Sequence, residues 1–287
     1  MSSPSPFRVL ITGGTGYLGT AMIRRLHLAR PQWEVHATFF TQEQAIRLAT
    51  LHYLDLRDPA SVERLLLHVR PQVIIHTAAQ MTGPLEQLRQ VNVLGASYIA
   101  QGASQSGARL VHLSTDVIFD GERGNYREAD RPHPVIPYGQ SKYEGELAVL
   151  ASGVNTAIVR TSLIYGFKPL DPRTQAVLNG KMPQLFTDEM RCPIWVDTLC
   201  EALLELSEST YTGILHVAGS QALSRYAFGC KLMQKLNGDV TRLIPMKSEE
   251  SGLIRPRDCT LDISQARQVL KTALPGVDDV LQNHLIA

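Results

Sequence analysis

The sequence predicts an α/β protein: a parallel sheet covered on both faces by helices, followed by a smaller and less regular region. Three observations predict it. Short β-branched runs alternate with longer segments of helical period up to about residue 165. The first of these runs passes directly into a glycine-rich turn and then a helix. After Gly166 the texture changes, with prolines at 169, 172, 183 and 193 punctuating short segments. Parallel strands buried on both faces read as near-continuous apolar runs, and each crossover between them needs a helix-length connection.

The elements follow in order. The run "RVLIT" (8–12) predicts the first strand, and a helix pattern runs from Ala21 to Leu28. "EVHATF" (34–39) and "HYLD" (52–55) predict the second and third strands, and "PASVERLLLHVR" is a segment of helical period before the next. "QVIIHTAA" (72–79) is a buried strand, followed by one long helix from Leu85 to Gln105. "RLVHLST" (109–115) is the fifth strand; a helix over 138–150 and the strand "NTAIVRTS" (155–162) complete the regular part. These predict a first domain over 1–165 and a smaller substrate-binding region over 166–287. The two interleave, since "GILHVAG" (213–219) reads as a strand returning to the main sheet.

Composition narrows the function. The chain has 287 residues, 44% hydrophobic and 19% charged, as in an ordinary soluble globular protein. Its 28 Lys and Arg against 27 Asp and Glu give a net charge of +1, too little for a field that would draw nucleic acid or an anionic membrane. The start "MSSPSPF" lacks the basic and apolar regions of a secretory signal, and no apolar run is long enough to span a bilayer. Cys192, Cys200, Cys230 and Cys259 show no C-x-x-C, and the nine histidines no H-E-x-x-H. The expectation is reduced thiols, no metal and a cytoplasmic setting.

The glycine turn is the first chemical signal. "TGGTGYLG" places Gly13, Gly16 and Gly19, with Tyr17 and Leu18 between them, between a strand and a helix. Glycines let the chain turn tightly, let the backbone approach a pyrophosphate, and let the helix pack closely on the strand. The helix N-terminus then offers N–H groups to the phosphates. In this setting the motif predicts a Rossmann-type dinucleotide site. An NAD site usually ends its second strand on a carboxylate for the ribose 2′-hydroxyl. Phe39 and Phe40 occupy that place here, and no arginine is close by in sequence, Arg47 lying several residues on. NADP is therefore favoured, with NAD as the alternative. Asp55, with Leu56 beside it in "YLDLRD", is placed either to meet the adenine or to cap the next helix.

"PYGQSKYEGE" (137–146) sets Tyr138 and Lys142 four residues apart, hence neighbours on a helix wall. An ammonium beside a phenol favours phenolate and would lower its pKa from about 10 towards useful acid–base work.

"TGGTGYLG", "HTAA", "LSTD" and "YGQSK" come in the order and spacing of the extended short-chain dehydrogenase/reductases. With "YREADRP", "VRTSLIYG" and "IRPRDCTLD", nearly the whole chain resembles the dTDP-4-dehydrorhamnose reductase family. The same motifs are similar to the regulatory β-subunit of methionine adenosyltransferase. The resemblance implies reduction of a keto group on a nucleotide-linked sugar. Tyr138 is then the acid, Lys142 its partner and a holder of the nicotinamide ribose, and Thr115 the hydroxyl that binds the carbonyl. It also implies that Ala78, Ala79 and Gln80 pass along the cofactor. Asn92 matches a family asparagine, or else is an interior polar residue bonded to backbone. Asp116 meets sugar hydroxyls or caps a turn. The long helices over 85–105 and 138–150 pair into a homodimer in many relatives.

Two departures bear on substrate. The family usually reads S-T-D-Y-V-F and R-T-S-W, where this chain has Val117 and Leu163. Neither can stack on a sugar ring, so dehydrorhamnose itself is disfavoured; Trp195 is either a replacement surface or a core aromatic. Sugar 4,6-dehydratases carry Thr-Asp-Glu where Thr115, Asp116 and Val117 stand, so dehydration is not expected. A dinucleotide-binding regulatory subunit and a nucleotide-sugar epimerase both remain compatible with the Tyr/Lys pair.

Overall fold

The strand β1 (Arg8–Thr12) lies between two parallel neighbours, β2 (Glu34–Phe39) on one side and β4 (Val73–His76) on the other. Ile11 is in register with Ala37 and with Ile75, and Thr12 with His76. Parallel pairing continues from β2 to β3 (Thr50–Tyr53) and from β4 to β5 (Arg109–Thr115). With β6 (Thr156–Thr161) and β11 (Gly213–His216), the seven-stranded sheet runs β11-β6-β5-β4-β1-β2-β3. The order reverses between β1 and β4, the switch point at which such sheets bind ligands beyond their carboxyl ends. The computed structural model describes residues 6–41 and 46–283.

The helices follow from apolar spacing and from caps. α1 (Tyr17–Ala29) buries Leu18, Ala21, Met22, Ile23 and Leu26, a stripe of helical period. It starts four residues earlier than the pattern indicates, because the glycine turn itself delivers the chain into the helix. α2 (Pro59–Val69) is capped by Asp58, which accepts from the Ala60 amide, so Asp55 does not cap this helix. It buries Val62, Leu65, Leu66 and Val69, roughly 1.5–3 kcal/mol for each fully buried side chain.

The single helix expected over 85–105 is three pieces: α3 (Leu85–Arg89), a π-helical turn (Gln90–Gly95) and α4 (Ala96–Ser106). The wide turn carries Asn92, whose side chain is bonded to backbone outside the helix. Strand β4 ends at His76 rather than continuing to 79, since Thr77 turns back to donate to the Thr12 carbonyl. α5 spans Pro137–Ala151 without interruption.

Two compact units emerge. The first comprises residues 1–114, 140–159 and 200–214. Its core gathers Leu10, Ile74 and Leu110 from the sheet with Val62, Leu66, Ile99 and Ala103 from α2 and α4. The second comprises 115–139, 160–199 and 215–287. It holds three short pairings: β7 (Ile164–Tyr165) with β10 (Ile194–Trp195), β8 (Gln184–Phe186) with β13 (Ile244–Met246), and β9 (Met190–Arg191) with β12 (Leu223–Ser224). One of its apolar clusters is built on Tyr165, Phe228, Leu232, Val277 and Val280. Among the described residues no helix is long and apolar enough to cross a membrane.

Candidate active site

The glycine turn stands at the switch point. Gly13 has φ of +70°, and a Cβ there would lie 2.9 Å from the Ala78 Cα. A Cβ on Gly19 would lie 2.2 Å from the Gly13 carbonyl oxygen, so only glycine lets α1 start against the turn. Gly16 occupies the N-cap and no side chain bonds the first amides of α1. The close turn and the N-terminal end of α1 together suit a pyrophosphate. Gly16 is exposed and Tyr17 partly so, whereas Leu18 is a buried core side chain and can offer a ligand only its backbone.

Beyond β4, Ala79 is exposed and Ala78 and Gln80 partly buried. This loop is held from the π turn. Asn92 Oδ1 accepts from the Gln80 amide at 2.9 Å, and Nδ2 donates to the Gln80 carbonyl at 2.8 Å and to Ser141 Oγ at 2.9 Å. The Asn92 carboxamide is thus bonded to backbone and positions the loop along which Ala78–Gln80 were expected to meet a cofactor. α5 presses directly on the same turn, where a Cβ on Gly145 would come 2.2 Å from the Asn92 carbonyl oxygen.

Lys142 is buried and donates to the Leu113 carbonyl at 2.7 Å. Burial pushes its pKa down to about 8, with Glu146 opposing. His76 and His112 stack with ring centroids 5.2 Å apart, and His76 Nδ1 is 2.7 Å from Thr12 Oγ1. Burial first and the Lys142 charge second hold both imidazoles well below their usual pKa, His76 at about 3. They are neutral at physiological pH.

In the second unit, Thr115 caps a 3-10 turn (Asp116–Ile118), its Oγ1 3.4 Å from the Val117 amide. Asp116 is thus not the cap. It is buried, accepts from Ser162 Oγ at 2.6 Å, and lies 3.7 Å from Arg191 Nε. Burial raises its pKa, against the opposing pull of Arg191, Ser162 and Thr115. The start of α5 is seated on this turn: a Cβ on Gly139 would lie 2.1 Å from the Val117 carbonyl oxygen. Thr115, Asp116 and Tyr138 are brought together here. Tyr138 and Lys142 stand one turn apart along α5.

The phenol corrects one expectation. Lys142 was expected to lower the Tyr138 pKa, but burial and then the Asp116 carboxylate hold it above the usual value.

Asp55 is not the cap of the next helix, whose first turn is capped by Asp58. The Asp55 carboxylate accepts from the Arg57 amide at 2.9 Å and from the guanidinium at 2.7–2.8 Å, which lowers its pKa. Leu56 is a core side chain. Leu163 and Trp195 are partly buried and pack against the Tyr165–Phe228 cluster, so Trp195 contributes at least in part as a core aromatic.

Several residues escaped sequence reasoning. Gly139, Ser141 and Gly145 share α5 with Tyr138 and Lys142, and their small size within one helix was the available signal. Ser162, Arg191 and Arg57 left none, because each acts on a partner from a separate segment or through a side-chain orientation. Chemically, the first unit offers a phosphate cradle and a buried lysine, and the second a hydroxyl at a strand end and a protonated phenol.

A family model described as the RmlD substrate binding domain matches residues 7–286. The chain is 29% identical over 280 residues to methionine adenosyltransferase 2 subunit beta of Xenopus tropicalis, covering 91% of this chain and 82% of that protein. It is 30% identical over 290 residues to a "Probable low-salt glycan biosynthesis reductase" of Haloferax volcanii, covering 94% and 95% respectively. Among solved structures, a dTDP-4-dehydrorhamnose reductase from Bacillus anthracis in complex with NADP superimposes with a TM-score of 0.84 at 26% identity, over 96% of this chain and 98% of that one.

Proposed function

For a chain that belongs to the RmlD substrate binding domain family, we propose that this protein is an NADP-dependent reductase of a keto group on a nucleotide-linked sugar. The observation that carries the reading is the seating of α5. Gly139 rests on the turn after Thr115, so Tyr138 is held beside that turn with Lys142 one helical turn further on.

NADPH, when bound, supplies the hydride. The chain's own residues do the rest. The turn at Gly13, Gly16 and Gly19 holds the pyrophosphate against the N-terminal end of α1. The Thr115 hydroxyl donates to the carbonyl oxygen and stabilises the charge that develops on it. Tyr138 then gives up its proton to the nascent alkoxide. Its raised pKa suits this direction, since a phenol kept protonated at neutral pH is always loaded as an acid, and an alkoxide is a far stronger base. Lys142 has N–H donors beyond the one given to Leu113 and holds the nicotinamide ribose.

The test is turnover of a 4-keto nucleotide sugar with NADPH. Tyr138→Phe should lose about 10²–10⁴-fold in rate, the worth of a general acid, while still binding NADPH. A variant as active as wild type would falsify the assignment.

Similarity to the methionine adenosyltransferase subunit over 91% of the chain supports a second reading, a dinucleotide-binding regulatory subunit. It predicts binding without turnover on any keto sugar, and an adenosyltransferase recovered with the protein from its native cell. An epimerase would instead interconvert sugars with no net consumption of NADPH.

A further inference from the structure

β2 ends on Phe39 and is followed by Phe40 and Thr41, so among the described residues no acidic side chain ends the strand, where a carboxylate would meet the adenine ribose of a bound dinucleotide. The tertiary structure supplies a cation there from another loop. Arg57, two residues past the Asp55 that follows β3, sets its guanidinium 5.0 Å from the centroid of the Phe40 ring. Phe40 in turn stacks on Tyr53, with centroids 6.1 Å apart and planes inclined by 29°. The guanidinium therefore rests on an aromatic platform.

One edge of that guanidinium is fixed. Nε lies 2.8 Å from Asp55 Oδ1 and one terminal nitrogen 2.7 Å from Oδ2. The other terminal nitrogen, Nη1, has no partner among the described residues, and the side chain is 51% exposed. A planar fork stacked on one face and pinned along one edge keeps its remaining N–H groups in a set direction at little further entropic cost. Such a fork suits a phosphate monoester, which accepts several charge-assisted hydrogen bonds in a plane. Asp55 offsets part of the charge, so the fork discriminates by direction of its donors more than by net field.

We infer that Arg57, stacked on Phe40 and braced by Asp55, is the residue that selects a 2′-phosphorylated adenosine and so sets the preference for NADP over NAD. This rests on the dinucleotide reading of the glycine turn and goes beyond it by naming the group that reads the phosphate. A carboxylate at the end of β2 would have excluded that phosphate; here the same position is the floor on which the arginine lies.

The experiment measures dissociation constants by calorimetry for NADPH and NADH, and for 2′,5′-ADP against ADP, with wild type, Arg57→Ala and Arg57→Lys. Wild type should prefer the 2′-phosphorylated member of each pair. Arg57→Ala should weaken NADPH and 2′,5′-ADP by about tenfold or more, the worth of a charge-assisted hydrogen bond, and change NADH and ADP little. Arg57→Lys, which keeps the charge without the fork, should fall between. Phe40→Ala should move the same two ligands in the same direction, which separates loss of the platform from misfolding. Equal losses on both members of a pair, an unchanged NADPH affinity, or a wild type that prefers NADH would overturn the role of Arg57 and leave a dinucleotide site standing. A wild type that binds none of the four would overturn the dinucleotide site as well.

Discussion

The Lys142 ammonium donates to the main-chain carbonyl of Leu113 at 2.7 Å, tying the middle of α5 to β5 two residues before Thr115. That bond orients the amine but does not repay its burial, and the lysine pKa falls from 10.5 to about 8.

The sign of the resulting pH dependence follows. Below about pH 8 both the folded and the unfolded chain carry the charge, and only the folded one is penalised for it. Between about 8 and 10.5 the folded chain sheds the proton while the unfolded chain keeps it, so stability rises through that window. At about 1.4 kcal/mol per pH unit the gain reaches about 3 kcal/mol. Urea unfolding of wild type and Lys142→Met at pH 7 and pH 10 should show wild type gaining on the variant by this order. A gap that does not change with pH would contradict the burial of a charge.

The stacked pair His76 and His112 works in the opposite range. Folded imidazoles held neutral down to about pH 3 in the case of His76 must be compared with unfolded ones that protonate near 6.5. Their contribution is complete above 6.5 and is lost as pH falls from 6.5 towards 3. Neither nitrogen of His112 has a hydrogen-bond partner among the described residues. His112→Phe keeps a ring against His76 and removes a proton acceptor. The variant should be at least as stable as wild type at pH 7 and should lose less between pH 6 and 4, read as the denaturant midpoint at each pH.

Asn92 should behave as a positioning residue. Asn92→Ala strands the Gln80 amide and carbonyl and removes the bond to Ser141, a loss of about 1–3 kcal/mol for buried groups left unpaired. Because Ala78–Gln80 would lose their anchor, the thermal upshift caused by NADPH should shrink too. Asn92→Asp keeps the acceptor for the Gln80 amide but not the donors, and should recover only part of both. Loss of stability with an unaltered NADPH response would reduce Asn92 to a packing role.

Much of this was legible along the chain. The predicted strands at 8–12, 34–39 and 109–115 match β1, β2 and β5 residue for residue, because apolar runs in a buried parallel sheet are uninterrupted and end at glycine or polar breaks. The helix carrying Tyr138 and Lys142 was placed to within one residue at either end. The break at Gln90–Gly95 was not legible, since a π turn keeps helical composition and is fixed by where the Asn92 side chain finds partners. Nor was the Tyr138 pKa, where i,i+4 spacing pointed down and burial with Asp116 points up.

By itself the sequence determined the alternation of strands and helices, the glycine turn, and the spacing of Tyr138 and Lys142. These are short-range properties, set by backbone sterics and side-chain period within a few residues. Only the tertiary structure decided which way the phenol is shifted, that Asp58 and not Asp55 caps α2, that Asn92 holds the loop after β4, and that Arg57 lies on Phe40. Those outcomes depend on desolvation and on groups from separate stretches of chain. Neither exists until folding closes the intervening loops.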